Sequence, residues 1–264
     1  MQGSNAAAPF LLFDLHMYTT HIFTSTDSTN KIAFNLAQDG AEHGTAVIAE
    51  MQLKGRGRLD RSWHSPAKTG LYCSVIIRPK IRSEDYPKIT LVAGLSVSQA
   101  LDSSCGIQSS VKWPNDIYIS GRKLGGILTE SSHLSGGIFC PFAVVGIGVN
   151  INNSKEDFAP EIAEKATSVF IETGGGTDIE EVFQAIRTEL LKDIEFFEQR
   201  GFPEILVRWR KKDMLQGKLV RWMNQNGEVI CGKSKGPDLD GRLVVRDEAG
   251  VNHQIITGDV LLCP

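Results

Sequence analysis

Four short segments of this sequence group residue types that can hold anions. The first is Gly55-Arg56-Gly57-Arg58, followed by Arg61, Trp63 and His64. From Gln52 to Lys68 the chain carries Lys54, Arg56, Arg58, Arg61 and Lys68 against Asp60 alone, an excess of four positive charges. Glycines let backbone N–H groups approach an anion closely, and arginine reads phosphate with a planar fork of donors. Trp63 adds a flat face on which an adenine could stack. The same residues would also make an ordinary solvated basic loop. They are not a Walker A loop, because G-x-x-x-x-G-K-[ST] occurs nowhere in the chain.

The second segment is Lys112-Trp113-Pro114-Asn115-Asp116, where a cation and a carboxylate near a strand start suit a phosphate and its Mg²⁺ ion. Read blandly, it is a strand-edge turn. The third is Arg122-Lys123-Leu124-Gly125-Gly126. Its lysine is a compact point charge fit for a carboxylate or a developing phosphate oxyanion, and otherwise an exposed residue of a hairpin. The fourth, Gly146-Ile147-Gly148-Val149-Asn150, is half a dinucleotide fingerprint without the third glycine or a following helix. A buried strand whose glycines permit close approach, ending in polar Asn150, fits it better.

These segments need elements to hold them. Asp27 and Ser28 can cap a helix that runs through Ile32, Ala33 and Leu36 and stops at Gly40. Thr45–Ala49 and Leu71–Arg78 are apolar strands on either side of the basic loop. Lys88–Leu101 carries Ile89, Val92 and Leu95 on one helical face. Ser110–Ser120 and Leu124–Ser131 are two strand runs joined by a turn at Ser120-Gly121-Arg122, and Phe142–Asn152 is a third. Thr177 and Glu180 form a capping-box pattern ahead of a long helix with Val182, Phe183, Ile186, Leu190, Ile194 and Phe197 on one face. A shorter helix covers Pro203–Lys212. Beyond Asp213, short β runs at Leu219–Met223, Glu228–Gly232, Leu243–Asp247 and Asn252–Thr257 alternate with glycine turns, the pattern of a small barrel. Consecutive strands with segregated helices make the main unit α+β. The expected division is a leader over residues 1–18, a main unit over 19–214 and a small β-domain over 215–264.

Composition narrows the function. With 264 residues, 41% hydrophobic and 22% charged, the chain can bury a large core and is not a disordered tail. Its apolar run Ile138–Val149 is broken by Pro141 and two glycines and is too short to span a bilayer, and the N-terminus lacks a signal-peptide pattern. A net charge of −3 argues against a DNA-binding surface. Five scattered cysteines without a C-x-x-C pair, and six histidines without metal-ligand spacing, argue against a disulfide framework or a metal centre built from protein ligands. A cytoplasmic protein, with no membrane and no DNA partner, is the expectation.

The joint order of the motifs is more specific than any one of them. Ser28-Thr29-Asn30, then Gln52 to Arg58 as Q-x-x-G-R-G-R, then Arg61 to Pro66 as R-x-W-x-S-P, K-W-P-N-D from Lys112, R-K-L-G-G-I-L from Arg122 and G-x-G-x-N from Gly146 resemble the biotin protein ligases. The resemblance runs from about Phe23 to the end of the chain, and to the monofunctional type without an N-terminal DNA-binding domain. It implies a class II synthetase-like catalytic domain with a small C-terminal SH3-like barrel. It also implies a C–N bond-forming ligase that uses ATP and Mg²⁺ to turn biotin into biotinyl-5′-AMP and then biotinylates a lysine of a biotin carboxyl carrier domain of a carboxylase. By the same resemblance, Ser28, Thr29, Asn30 and Gln52 contact the biotin headgroup, and Arg56, Gly57 and Arg58 form the loop over biotin and the adenylate. Arg58 retains the intermediate, Lys123 bridges the biotin carboxylate and the phosphate, and Asp116 meets the acceptor lysine or the metal. Trp63 stacks on adenine, while Arg61, Lys112, Asn115 and Asn150 serve the nucleotide side. No repressor function is expected, and monomer and homodimer both remain open. Three rival readings are weaker. A lipoate or octanoate ligase fits Gln52, Trp63 and K-W-P-N-D less well, a non-enzymatic binder would lack Arg58 or Lys123, and a DNA-binding repressor would show a recognition helix and a basic face.

Overall fold

The computed structural model describes residues 18–132, 141–223 and 227–263. The leader expected over residues 1–18 lies outside them apart from Tyr18, as do His16, His133 and Cys140.

The fold is built on two strands, β3 (Gly70–Ile77) and β7 (Ala143–Asn150), which pair antiparallel from Gly70 opposite Asn150 to Ile77 opposite Ala143. Side chains alternate across a strand, so these two strands define two faces. Leu71, Cys73, Val75 and Ile77, with Ala143, Val145, Ile147 and Val149, enter the main core. The second face carries Ile76 and Val144, which pack with Ala33 and Ala37 of helix α1 (Thr29–Gln38) in a separate apolar cluster. Ser74, Gly146 and Gly148 fall on the same alternation as Ile76 and Val144. Small residues at these positions leave a trough beside α1.

Among the described residues the main sheet has the order β1 (Thr20–Phe23), β2 (Ala46–Ala49), β3, β7, β6 (Arg122–Ser131), β5 (Asp116–Ile119) and β4 (Ser110–Lys112). Only β1 and β2 pair in parallel; the other neighbours are antiparallel. Helix α2 (Ile89–Cys105) is buried along most of its length, and the long α4 (Ile179–Arg200) packs against it and β3 over the core face. The short α3 (Val169–Thr173) brings Glu172 to Arg122 at 2.8 Å, and α5 (Phe202–Arg210) leads out of the unit. This is the α+β arrangement, a mixed sheet flanked by helices, that the sequence led us to expect.

Four local expectations are corrected. Thr20–Phe23 is a strand that sequence reading missed, since it pairs in parallel with a partner 26 residues away and only half buries its residues. The single run expected over Ser110–Ser120 is two strands, split where Pro114, which has no amide proton, follows a cis bond from Trp113. The α4 cap is Asp178, not Thr177: its carboxylate accepts from the amides of Glu180 and Glu181. The C-terminal sheet gains a further strand at Val260–Leu262.

That C-terminal sheet has the order β11 (Asn252–Ile255), β10 (Leu243–Arg246), β9 (Val229–Pro237), β8 (Leu219–Met223) and β12 (Val260–Leu262), antiparallel throughout and SH3-like. It is not a loose appendage. Val220, Leu243, Val245, Ile255 and Val260 belong to the same apolar cluster as the main core. Trp113, 3% exposed, donates its indole N–H to the Gly241 carbonyl at 2.9 Å, and Arg210 donates to the Pro237 carbonyl at 2.7 Å. The tryptophan of K-W-P-N-D thus anchors the small sheet.

Asp213 sits at this junction, with Oδ1 accepting from the Leu215 amide at 2.9 Å while the buried Oδ2 has no hydrogen-bond partner. Burial pushes its carboxyl up to about 6. A folded-state value raised above the unfolded one means that the protonated form is favoured by folding, so stability falls as the pH rises from about 4 through 6. The difference corresponds to about 3 kcal/mol at neutral pH. Asp213→Asn, which cannot ionise, is expected to raise the urea midpoint at pH 8 and to flatten its dependence on pH between 4 and 7. A variant no more stable than wild type at pH 8 would contradict this account.

Candidate functional site

The trough becomes a cleft because glycines strip its floor. Gly126 of β6 lies directly opposite Gly148 of β7, and Leu128 opposite Gly146. A methyl group at Gly148 would meet the Trp63 indole nitrogen at 2.6 Å, and one at Gly126 would meet the same ring at 3.5 Å. A methyl at Gly146 would collide with the Asn30 side-chain amide. Trp63 therefore lies flat on two opposed glycines, with its buried Nε1 unpaired. The cleft left beside it is about 140 Å³, smaller than the ~300–1,000 Å³ usual for ligand sites, so the indole already fills part of it. Forcing bulk under the ring costs about 1–3 kcal/mol in overpacking. Gly148→Ala is expected to expel Trp63, read as a red shift in tryptophan emission that vanishes in a Trp63→Phe background. Emission identical to wild type would show that the indole does not rest there.

One end of the cleft is a chain of hydrogen bonds. Gln52 Oε1 accepts from the Thr29 amide at 2.9 Å, and Gln52 Nε2 donates to Ser65 Oγ at 3.1 Å. Thr29 and Ser74 hydroxyls lie 2.8 Å apart, and Ser74 donates to Asn30 Oδ1 at 2.6 Å. Asn30 spends its two amide protons on the Leu128 carbonyl and on Glu130. Ser28, Thr29 and Asn30, at most 5% exposed, sit here because the first turn of α1 opens onto the trough. Ser28 occupies the N-cap position but makes no side-chain capping bond, which leaves its hydroxyl uncommitted to the helix.

Over the cleft the basic segment folds back on itself. Arg56 bridges Ser62, the Gly57 amide donates to the Arg61 carbonyl at 2.7 Å, and the Trp63 amide donates to the Gly55 carbonyl at 2.8 Å. The tip is strained: Leu59 and Asp60 both take left-handed φ values, 55° and 57°, where glycine or asparagine would be at ease. From this hairpin Arg56 pairs with Glu130 at 2.8 Å. Arg58 donates to Asn115 Oδ1 at 3.1 Å and to Thr257 Oγ1 at 3.2 Å. Arg61 pairs with Asp259. The C-terminal sheet therefore meets the loop across the cleft mouth.

At the other end a bulge places the lysine. Between β5 and β6 the register shifts at Ile117/Tyr118, so Tyr118 pairs with Lys123 while Ile117 pairs with Gly125. The extra residue, Leu124, turns into the core, and Lys123 reaches the cleft beside Gly126. Its Nζ lies 2.7 Å from Asp116 Oδ1 and 5.5 Å from the Trp63 ring centre. Its backbone is pinned by the Lys165 carbonyl and the Thr167 amide. Burial lowers the Arg58 guanidinium from its ordinary value, against the opposing pull of Asp116 and Asp259, while the Asp259 hydrogen bond raises Arg61. Positive side chains outnumber carboxylates here, so the cleft favours an anion.

The structure thus gathers Ser28, Thr29, Asn30, Gln52, Arg56, Gly57, Arg58, Arg61, Trp63, Asn115, Asp116 and Lys123 around one cleft. Two predicted residues fall outside its lining. Lys112 lies over the Tyr118 ring at 5.4 Å, with its ammonium lowered by burial, and Asn150 donates to the Thr167 carbonyl at 2.9 Å. Sequence reading missed Glu130, Thr257 and Asp259. Glu130 carried a faint signal, being two strand steps beyond Leu128 on the face that holds Gly126. The other two had none.

The cleft on this sheet, closed by a basic hairpin, thus joins a neutral hydrogen-bonding end to a cationic end. A profile of the Biotin/lipoate A/B protein ligase family matches residues 22–150, and the chain belongs to that family. It is 36% identical over 235 residues to the bifunctional ligase/repressor BirA of Bacillus subtilis, covering 89% of this chain and 71% of that protein. It is 33% identical to the biotin–[acetyl-CoA-carboxylase] ligase of Paracoccus denitrificans, covering 85% and 93%. Its backbone superposes on the biotin protein ligase from Aquifex aeolicus in complex with biotin and ATP with a TM-score of 0.79, at 32% identity and covering 93% and 98% of the two chains. Within the family, the enzyme is a biotin protein ligase. Among the described residues no helix is long and apolar enough to cross a membrane.

Proposed function

We propose that this ligase activates biotin with ATP and passes it to a lysine of a biotin carboxyl carrier domain of a carboxylase. The observation that carries the reading is the single cleft with a neutral, hydrogen-bonding end at Thr29, Asn30 and Gln52 and a cationic end at Arg58 and Lys123. The neutral end suits the ureido headgroup, whose N–H and C=O groups need buried partners. The cationic end suits the biotin carboxylate and the α-phosphate, two anions that must meet. A carboxylate oxygen bonds to the α-phosphorus, the bond to the β-phosphate breaks, and pyrophosphate leaves. The acceptor amine then attacks the carbonyl of the mixed anhydride, loses its proton, and AMP departs.

Lys123 would switch from Asp116 to the two anions, freeing Asp116 for the incoming amine. Trp63, whose ring now faces the Lys123 ammonium at 5.5 Å, would offer that flat ring to the adenine. Arg61 and Asn115, beside Arg58, would serve the nucleotide, with Lys112 and Asn150 supporting from outside the lining. Among the described residues no group of three or more His, Cys, Asp or Glu could hold a metal. Mg²⁺ would be carried in on the nucleotide phosphates, with Asp116 the cleft carboxylate beside Lys123.

The test is pyrophosphate release from MgATP with biotin, lipoate or octanoate supplied separately. Release with biotin alone is expected. Release with lipoate or octanoate instead would assign the cleft to another acid and overturn the role given to Gln52.

A further inference from the structure

We propose that Glu130 is a positioning residue for biotin binding, clamping Arg56 while it fixes the side-chain amide of Asn30. The inference rests on the biotin-ligase reading above and deepens it. Glu130 takes no part in the predicted site, does not line the main cleft, and lies instead on the outer side of the hairpin. Both of its oxygens accept from the same Arg56 nitrogen, at 3.0 and 2.8 Å, and Oε2 also accepts from Asn30 Nδ2 at 2.8 Å.

Proton accounting shows what this does. Asn30 has two amide protons, and both are placed, on Glu130 and on the Leu128 carbonyl. Its Oδ1 accepts from Ser74, whose single proton is thereby used. The Thr29 hydroxyl, 2.8 Å from Ser74 Oγ, donates to Gln52 Oε1 at 3.2 Å, which also accepts from the Thr29 amide at 2.9 Å. Gln52 Nε2 goes on to Ser65, which donates to the Trp63 carbonyl. Polar contacts thus run without a gap from Glu130 to the base of the hairpin. The carboxylate sets the direction, because it can only accept. An Asn30 amide turned by 180° would aim its oxygen at the Glu130 carboxylate and the Leu128 carbonyl, acceptors with no proton between them, so the charge holds one orientation. The chain starts on Arg56 and ends at Ser65 and Trp63, so a closed ring joins the hairpin to the headgroup end of the cleft. Hairpin closure and headgroup orientation are two outcomes of one side chain.

The experiment compares Glu130→Gln and Glu130→Ala with wild type in biotin-dependent pyrophosphate release, after checking that each variant unfolds at the wild-type temperature. Loss of charge-assisted bonds of this kind is worth about tenfold or more. The expected result is a KM for biotin raised at least about tenfold in Glu130→Ala and less in Glu130→Gln, with KM for MgATP within about twofold of wild type. An Arg56→Ala, Glu130→Ala cycle adds a second readout, in which effects on biotin KM that are less than additive support the clamp. Unchanged biotin KM in both variants, or equal losses for biotin and MgATP, or additive effects in the cycle, would overturn it. If wild type releases no pyrophosphate with biotin, the ligase reading fails instead, and the two failures are told apart by that control.

Discussion

Lys123→Ala is expected to reduce biotin-dependent pyrophosphate release by at least about 10²–10³-fold, the usual cost of removing one preorganised charge from a developing anion. Two unit charges of the same sign at about 4 Å repel by about 4 kcal/mol at the effective dielectric of a protein surface. Carboxylate and α-phosphate must come closer than that. Lys123 is the cation placed to reduce the repulsion, and its alanine variant does more than delete a charge, since it leaves Asp116 unpaired beside the same reaction centre. A Lys123→Ala, Asp116→Asn double variant should therefore recover part of the loss in the first half-reaction. The folded state should hardly notice, because the pair is about one third and one fifth exposed, and ion pairs so placed contribute at most about 1 kcal/mol. Turnover near the wild-type rate in Lys123→Ala would remove this residue from the chemistry.

Arg58→Gly is expected to leave adenylate formation largely intact but to release the product early. The Arg58 guanidinium spans the cleft mouth, bound to Asn115 on one wall and, on the other, to Thr257 in the bend between β11 and β12. Loss of two charge-assisted hydrogen bonds and one cation facing the phosphate corresponds to a dissociation rate raised by about 10–100-fold or more. A mixed anhydride set free in water acylates whatever amine it meets. The measurement is biotin incorporation into an unrelated lysine-rich protein added to the reaction. Wild type should label it weakly and Arg58→Gly strongly, in proportion to the bystander concentration. A variant that still labels only a carrier domain would show that retention lies elsewhere.

What could be read from the sequence divides by range. The helices were legible because their signals are local: Gly40 ends α1, and the apolar face of α4 repeats every turn. The two-residue turn at Ser120 and Gly121 was legible too, both residues taking the left-handed φ that such turns require. The glycines of G-x-G-x-N were correctly read as sites of close approach, but what approaches them, Asn30 and Trp63, lay beyond sequence. Thr20–Phe23 went unseen because its only ladder partner among the described residues is distant in the chain. The cleft residues were legible because they lie in short motifs whose residue types suit anions. Glu130, Thr257 and Asp259 form no motif, and reach the site across sequence separations of 74, 199 and 198 residues. The lysine is a middle case: its type was legible, whereas the bulge that turns it inward is a property of pairing.

The bare floor under Trp63 has a consequence for how this protein would look to a mutational survey. Alanine scanning ranks residues by what is lost when a side chain is removed, and Gly126, Gly146 and Gly148 have nothing to remove. At Gly146 and Gly148 the scan runs in reverse, adding a methyl group, and what it records is a collision, whereas a methyl at Gly126 meets Trp63 at 3.5 Å, an ordinary contact. Gly146→Ala would register through the displaced Asn30 amide and Gly148→Ala through the displaced indole. Each would be filed under the function of a neighbour. The residues that give the cleft its depth are visible only by enlargement.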